Sequence, residues 1–193
     1  LFGTPTRIRA FCAIGKYHHI EVEDDVTAFC EYENGATGLF VTSTGESPGT
    51  NRLEITGDRG RIVVEDNAIS FDRTETSVKA FRSGTSKKFA SIDTWKVEVP
   101  FKGEAGRHRA IIENFANAIG NGDELIAPGE EGIKSVEIGN AMLLSSMKRR
   151  PVDLPLDGEE YKALLDKLIE ESNFEKKSGT SVEETDISKS FTN

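Results

Sequence analysis

The sequence predicts an α+β fold, a largely antiparallel open sheet with helices packed on one face. Three observations lead there. Short segments alternating apolar and polar residues fill the chain up to Pro100. Turn signals separate them at intervals too short for a crossover helix, notably Asn34-Gly35 and Gly57-Asp58-Arg59-Gly60. From Arg107 the apolar period changes from 2 to 3.6 and stays there. Strands first and helices after is the signature of α+β order. One domain over residues 1–173 is expected, with a polar tail over residues 174–193 too poor in apolar residues to pack.

The elements follow in order. Thr6–Ile14 alternates, with Ile8, Ala10, Cys12 and Ile14 on one side. Lys16–Asp25 is charged and reads as a loop. Val26–Tyr32 alternates again, and Asn34-Gly35 should supply two residues of positive φ to a tight hairpin. Ala36–Ser43 returns with Leu39 and Val41 on one face and Phe40 on the other, so both sheet faces look covered. Leu53–Ile55, Arg61–Glu65 and Ala68–Phe71 continue a meander. A glycine at each end of Gly57–Gly60 would supply positive φ. Residues 73–94 are a polar excursion with a strand near Val78–Phe81. Trp95–Val99 alternates and stops at Pro100, as an edge or last strand would.

Three helices are expected. In Arg107–Gly120, Ile111, Ile112, Phe115, Ala116 and Ile119 share a face. The second opens at Pro128-Gly129-Glu130-Glu131 and ends at Lys148-Arg149-Arg150 before Pro151, with Ile133, Val136, Asn140, Ala141, Leu144 and Met147 along one side. The third starts at Asp157, with Glu160 as an Asp variant of the capping box and Leu156–Tyr161 as a hydrophobic staple.

Composition limits function. A net charge of −9 argues against nucleic-acid binding, and no apolar run is long enough to span a bilayer. Cys12 and Cys30, without a CxxC, read as buried free thiols and point to the cytoplasm. His18 and His19, with Glu21, Glu23, Asp24 and Asp25, invite a metal reading. Adjacent histidines cannot share one face of a strand or helix, though a loop could converge them, and no metal ligand is assigned. Asp24-Asp25 read as solvated turn residues. There is no GxGxxG and no P-loop, so no cofactor-binding residue is assigned either. The segment Thr42–Arg52 is small, polar and glycine-rich, longer than a connector needs, and suited to approach a ligand.

The run EVEDDVTAFCEYENGATGLFVTSTGESPGTNRLEITGDRGRIVVED resembles the C-terminal domain of the Gfo/Idh/MocA oxidoreductases. The resemblance resumes at HRAIIENFANAIGNGDELIAPGEEGIKSVEIGNAMLLSSMKRRPVDLPLD. It implies a two-domain, NAD(P)-dependent parent that oxidises a sugar, inositol or related polyol by hydride transfer. The parent's first half would be a Rossmann domain with the glycine fingerprint, the lysine of a Glu-Lys-Pro motif and an Asp–His pair. None of these has a matching position here, so no catalytic residue is assigned. Leu1-Phe2-Gly3 looks like the tail of the helix that carries the pair, and the chain is expected to be one half of a longer protein.

By the same resemblance, residues 1–173 would be the substrate-binding and oligomerisation half, neither active nor cofactor-binding alone. It would pair with further copies through a sheet face. Thr42–Arg52 matches the family segment facing the sugar, which makes Thr44, Thr50, Asn51 and Arg52 substrate-binding candidates. His108, opening the first helix, joins them. A stand-alone dimerisation or small-ligand module of the same fold is the alternative. A parent performing other NAD-assisted chemistry, such as glycoside cleavage, would look the same from this half.

Overall fold

The computed structural model describes residues 2–66, 68–100 and 107–173. The strands are β1 (Arg7–Ile14), β2 (Glu23–Glu31), β3 (Thr37–Ser43), β4 (Arg52–Gly57), β5 (Gly60–Glu65), β6 (Ala68–Thr74), β7 (Thr94–Glu98) and β8 (Val152–Asp153). The helices are α1 (Val78–Gly84), α2 (Arg107–Asn121), α3 (Gly129–Lys148) and α4 (Gly158–Glu171). The fold is α+β with antiparallel sheets, as the alternation predicts. The expected meander divides into two four-stranded sheets, β3-β2-β1-β8 and β4-β5-β6-β7. Among the described residues each sheet belongs to its own compact unit, one formed by those up to Gly45 and from Gly129 on, the other by those from Glu46 to Pro128. The division falls inside the polar segment Thr42–Arg52, which has no apolar alternation to carry a ladder across. The tail expected at 174–193 lies outside the described residues.

In the first unit the pleat sorts side chains by parity. Ile8 faces Cys30, Ala10 faces Ala28 and Cys12 faces Val26 across β1 and β2. All six point to the side where α3 and α4 pack, and they meet Ala141, Met142, Leu144 and Leu164 in the core. Short β8 pairs β1 only at Arg7 and Ile8. Beyond it, serines of α3 take over the edge. The Ala10 N–H donates to Ser145 Oγ at 3.0 Å and the Cys12 N–H to Ser146 Oγ at 2.8 Å. Both cysteines are free thiols, Cys30 buried and Cys12 half-buried.

Several local readings are corrected. Only Gly35 of the Asn34-Gly35 pair has positive φ, at 81°. Gly35 donates to Tyr32 O and Tyr32 to Ala36 O, so the hairpin closes as an ordinary turn followed by a left-handed glycine. Gly60 has positive φ, but Gly57 does not. The strand expected near Val78–Phe81 is helix α1. Ser77 caps it by accepting from the Ala80 N–H, and Asp58 accepts from the Lys79 N–H. Asp157 caps α4 as expected, but Glu160 does not reach back. Both of its carboxylate oxygens bind Arg150 Nη2, so the capping box is half made.

In the second unit β7 is the edge strand the Pro100 stop implies, paired only to β6. One face is apolar, with Ile55, Ile62, Phe71 and Val97 in register. The other is a charge ladder in which Arg52 binds Glu65 and Glu54 while Arg61 binds Asp72. Among the described residues nothing buries the apolar stripe of α2, where Ile112 and Ile119 are 66% and 73% exposed. Ile133 and Val136, at the start of α3, are exposed as well. Their helical spacing marks a face, and spacing alone does not say what covers it.

Candidate functional site

The polar groups of the first unit converge where β2 begins and β3 ends. Asp24 stands in the same phase of β2 as Val26, Ala28 and Cys30, so the strand carries its carboxylate inward. It is 3% exposed, not the solvated turn residue the sequence suggested. A buried carboxylate must be saturated with donors. Asp24 Oδ1 accepts from the Lys16 N–H at 2.9 Å, and Oδ2 from the Tyr17 and His18 N–H groups at 2.7 and 3.0 Å. His18 Nδ1 adds a fourth contact to Oδ2 at 3.3 Å. Burial alone would raise the Asp24 pKa. The three backbone N–H groups, with the His18 side chain, outweigh it and hold the value at about 2.

This carboxylate ties the loop after β1 to the end of β3. Thr44 donates its N–H to Asp24 O at 2.9 Å, and its hydroxyl lies 3.3 Å from both Asp24 O and His18 Nδ1. Tyr17 lies over Gly45, where an added Cβ would stand 2.3 Å from Tyr17 Cγ. Lys16 Nζ sits 4.7 Å from the Tyr17 ring centroid and pairs with Asp25 at 3.0 Å. Beside the cluster is a cavity of about 260 Å³ lined by Cys12, Asp24, Phe40, Thr42, Thr44 and Met142 among others. Its lining mixes Asp24, Thr42, Ser43 and Thr44 with Val26, Phe40, Met142 and Leu143, and burial raises the pKa of Cys12 among them.

The remaining candidates lie in the second unit. Thr50 donates to Glu46 Oε1 at 3.2 Å. Asn51 is exposed, and Arg52 opens β4. The guanidinium of Arg52 is engaged by Glu54 and Glu65 at 2.7 and 2.6 Å, and these hydrogen bonds raise its pKa. A second, larger cavity of about 630 Å³ covers this charged face, between Arg52, Arg61, Asp72, Lys96 and Glu98. His108 is exposed in the first turn of α2. Thr50, Asn51 and Arg52 are thus contiguous, His108 stands on a different element, and Thr44 belongs to the Asp24 cluster of the first unit. The sequence groups His18 with Asp24 only in a metal reading, and the part played by Tyr17 and the backbone donors is not signalled. The signal for Asp24 was present in its phase with Val26. Among the described residues, no group of three or more His, Cys, Asp or Glu side chains is placed to hold a metal ion. No described helix is long and apolar enough to cross a membrane.

A family model described as the Gfo/Idh/MocA oxidoreductase family, C-terminal alpha/beta domain, matches residues 1–154. The chain belongs to this family. Solved structures agree with the Gfo/Idh/MocA C-terminal fold. An NAD-binding protein from Listeria innocua superposes with a TM-score of 0.60 at 18% identity, over 79% of this chain and 42% of its own. Levoglucosan dehydrogenase in complex with NADH and levoglucosan gives 0.58 at 18%, over 79% of this chain and 46% of its own. Aldose-aldose oxidoreductase from Caulobacter crescentus, complexed with glycerol, gives 0.55 at 17%, over 78% and 42%. This Gfo/Idh/MocA chain therefore spans less than half the length of each of these proteins. No curated protein matches the sequence.

Proposed function

We propose that this chain is the substrate-side, C-terminal domain of an NAD(P)-dependent dehydrogenase that acts on a sugar, inositol or related polyol by hydride transfer. The observation that carries the reading is the Asp24 cluster, set in a domain of established oxidoreductase family. It holds His18 Nδ1 3.3 Å from Thr44 Oγ1, and Thr44 and Asp24 line a cavity of about 260 Å³. A polyol needs several neutral donors and acceptors in a small space, and hydroxyl and imidazole groups supply them. Structures of the same fold include a levoglucosan dehydrogenase holding NADH and levoglucosan. Thr50, Asn51, Arg52 and His108 remain candidates for further substrate contacts.

NAD(P) itself does not fit the described residues. Every strand pairing in both sheets is antiparallel. A pyrophosphate is cradled at a glycine turn between a parallel strand and its crossover helix. No hydride step is therefore derived on this chain, and the cofactor site is assigned to a further domain of the parent. When bound there, the nicotinamide would supply the hydride acceptor.

The same domain is proposed to associate with further copies through the outer face of the first sheet. Phe11, Phe29, Leu39 and Val41 stand on that face, all exposed, the last two at 71% and 64%. Apolar patches of this kind mark association surfaces. Kinetics of the whole gene product with Thr44→Val test the substrate reading. The KM for the sugar is expected to rise roughly tenfold, the loss of about one hydrogen bond, and an unchanged KM would contradict it.

A further inference from the structure

The structure assigns His18 a role of its own. We propose that His18 is a substrate-contacting acceptor and Asp24 its positioning residue. Asp24 fixes the imidazole as the Nδ1–H tautomer, so that Nε2 offers a lone pair to a hydroxyl of the sugar or polyol. The inference rests on the sugar-or-polyol reading above and adds to it a residue, a tautomer and the residue that sets it.

The geometry carries it. An ionised carboxylate only accepts, so the nitrogen facing Asp24 Oδ2 at 3.3 Å must bring a proton. The second neighbour of that nitrogen, Thr44 Oγ1 at 3.3 Å, is compatible with the same proton. Thr44 can turn its own hydrogen to Asp24 O, 3.3 Å away, which leaves an oxygen lone pair toward the ring. A neutral imidazole with its proton on Nδ1 has Nε2 as an acceptor.

Asp24 does not need the ring, since three backbone N–H groups already bind its two oxygens. The imidazole is held in addition to that set. His18 is also fixed at its backbone, because its own N–H binds the same Oδ2 at 3.0 Å. A side chain anchored at two points yet 47% exposed is positioned and reachable at once. Thr44, whose Oγ1 lies 3.3 Å from the ring nitrogen, lines the cavity together with Asp24, Thr42 and Ser43.

Two measurements test this. Long-range proton–nitrogen NMR of the 15N-labelled 193-residue chain, at a pH where the ring is neutral, reads the tautomer. Nδ1–H is expected for His18, with reversion in Asp24→Asn to the Nε2–H form that free histidine favours. An Nε2–H tautomer in the natural chain would overturn the assignment. His18→Phe removes the acceptor at a partly exposed position and keeps the question open to test should Asp24→Asn not fold. In the whole gene product, assayed with levoglucosan and myo-inositol, His18→Phe is expected to raise KM roughly tenfold. A variant that lowers only the melting temperature, with KM unmoved, would overturn the role while leaving the substrate reading standing. Absence of NAD(P)-dependent turnover by the natural protein across a panel of inositols and sugars that includes these two would overturn both.

Discussion

The Tyr17 ring lies against Gly45 so closely that a Cβ there would stand 2.3 Å from Tyr17 Cγ. Glycine at this position is a packing requirement, because the ring closes the loop after β1 over the end of β3. Gly45→Ala is expected to displace the ring, with a cost of about 1 kcal/mol, at the low end for overpacking because Tyr17 is itself exposed. Hydrogen exchange at the Lys16, Tyr17 and His18 amides should rise in the variant. Unchanged protection would show that the ring moves without disturbing the loop.

Asp24 should give the domain an acid-sensitive loop. Its pKa is lowered from an ordinary 3.8 to about 2, so the folded state favours the ionised form. The resulting stability is fully present above pH 3.8 and is lost as pH falls through about 2. Asp24→Asn should lower the melting temperature at neutral pH and flatten its fall between pH 4 and 2, a window set by those two values. Thermal melts across that range check both, and parallel pH profiles would contradict the assignment.

Ser145 closes a sheet edge from a helix. Its buried hydroxyl accepts from the Ala10 N–H at 3.0 Å and donates to Arg150 O at 2.7 Å. Ser145→Ala leaves a buried donor and a partly buried carbonyl without that hydroxyl, and should destabilise the domain by about 2 kcal/mol. Urea unfolding measures it directly. A loss below about 0.5 kcal/mol would mean that water replaces the hydroxyl.

The outer face of the first sheet joins Phe11, Phe29, Leu39 and Val41, with the Arg9 guanidinium 4.5 Å from the Phe11 ring centroid. Leu39→Lys places a charge at its most exposed position. Sedimentation should show self-association of the natural chain and a shift toward monomer in the variant, with the melting temperature little changed. An oligomer that persists in Leu39→Lys would move the interface elsewhere.

Much of the fold was legible because period and punctuation agree. The phases of Ile8, Ala10 and Cys12 and of Val26, Ala28 and Cys30 gave the buried face of the first sheet. Asp157 gave the start of α4. What the sequence left open depends on partners distant in the chain. Glu160 has the spacing of a capping box but binds Arg150 instead. Val78–Phe81 reads as strand from its β-branched and aromatic ends, yet Ser77 and Asp58 cap it as a helix. Asp24 reads as a turn residue because a buried carboxylate is rare without donors, and its donors come from the backbone of Lys16, Tyr17 and His18, which no side-chain pattern reveals. Thr44 was legible as a ligand candidate, whereas His18 acquires its meaning only through Asp24.

One measurement bears most directly on the central claim, that this domain is the substrate side of a larger NAD(P)-dependent dehydrogenase. NAD and NADP are titrated by calorimetry into the 193-residue chain and into the whole product of its gene, with reduced nicotinamide followed at the same time over a panel of inositols and sugars. The expected result is saturable cofactor binding and polyol-dependent reduction by the whole product, and neither by this chain. Saturable binding of either cofactor to the 193-residue chain, or a whole product that reduces neither cofactor with any polyol, would contradict it.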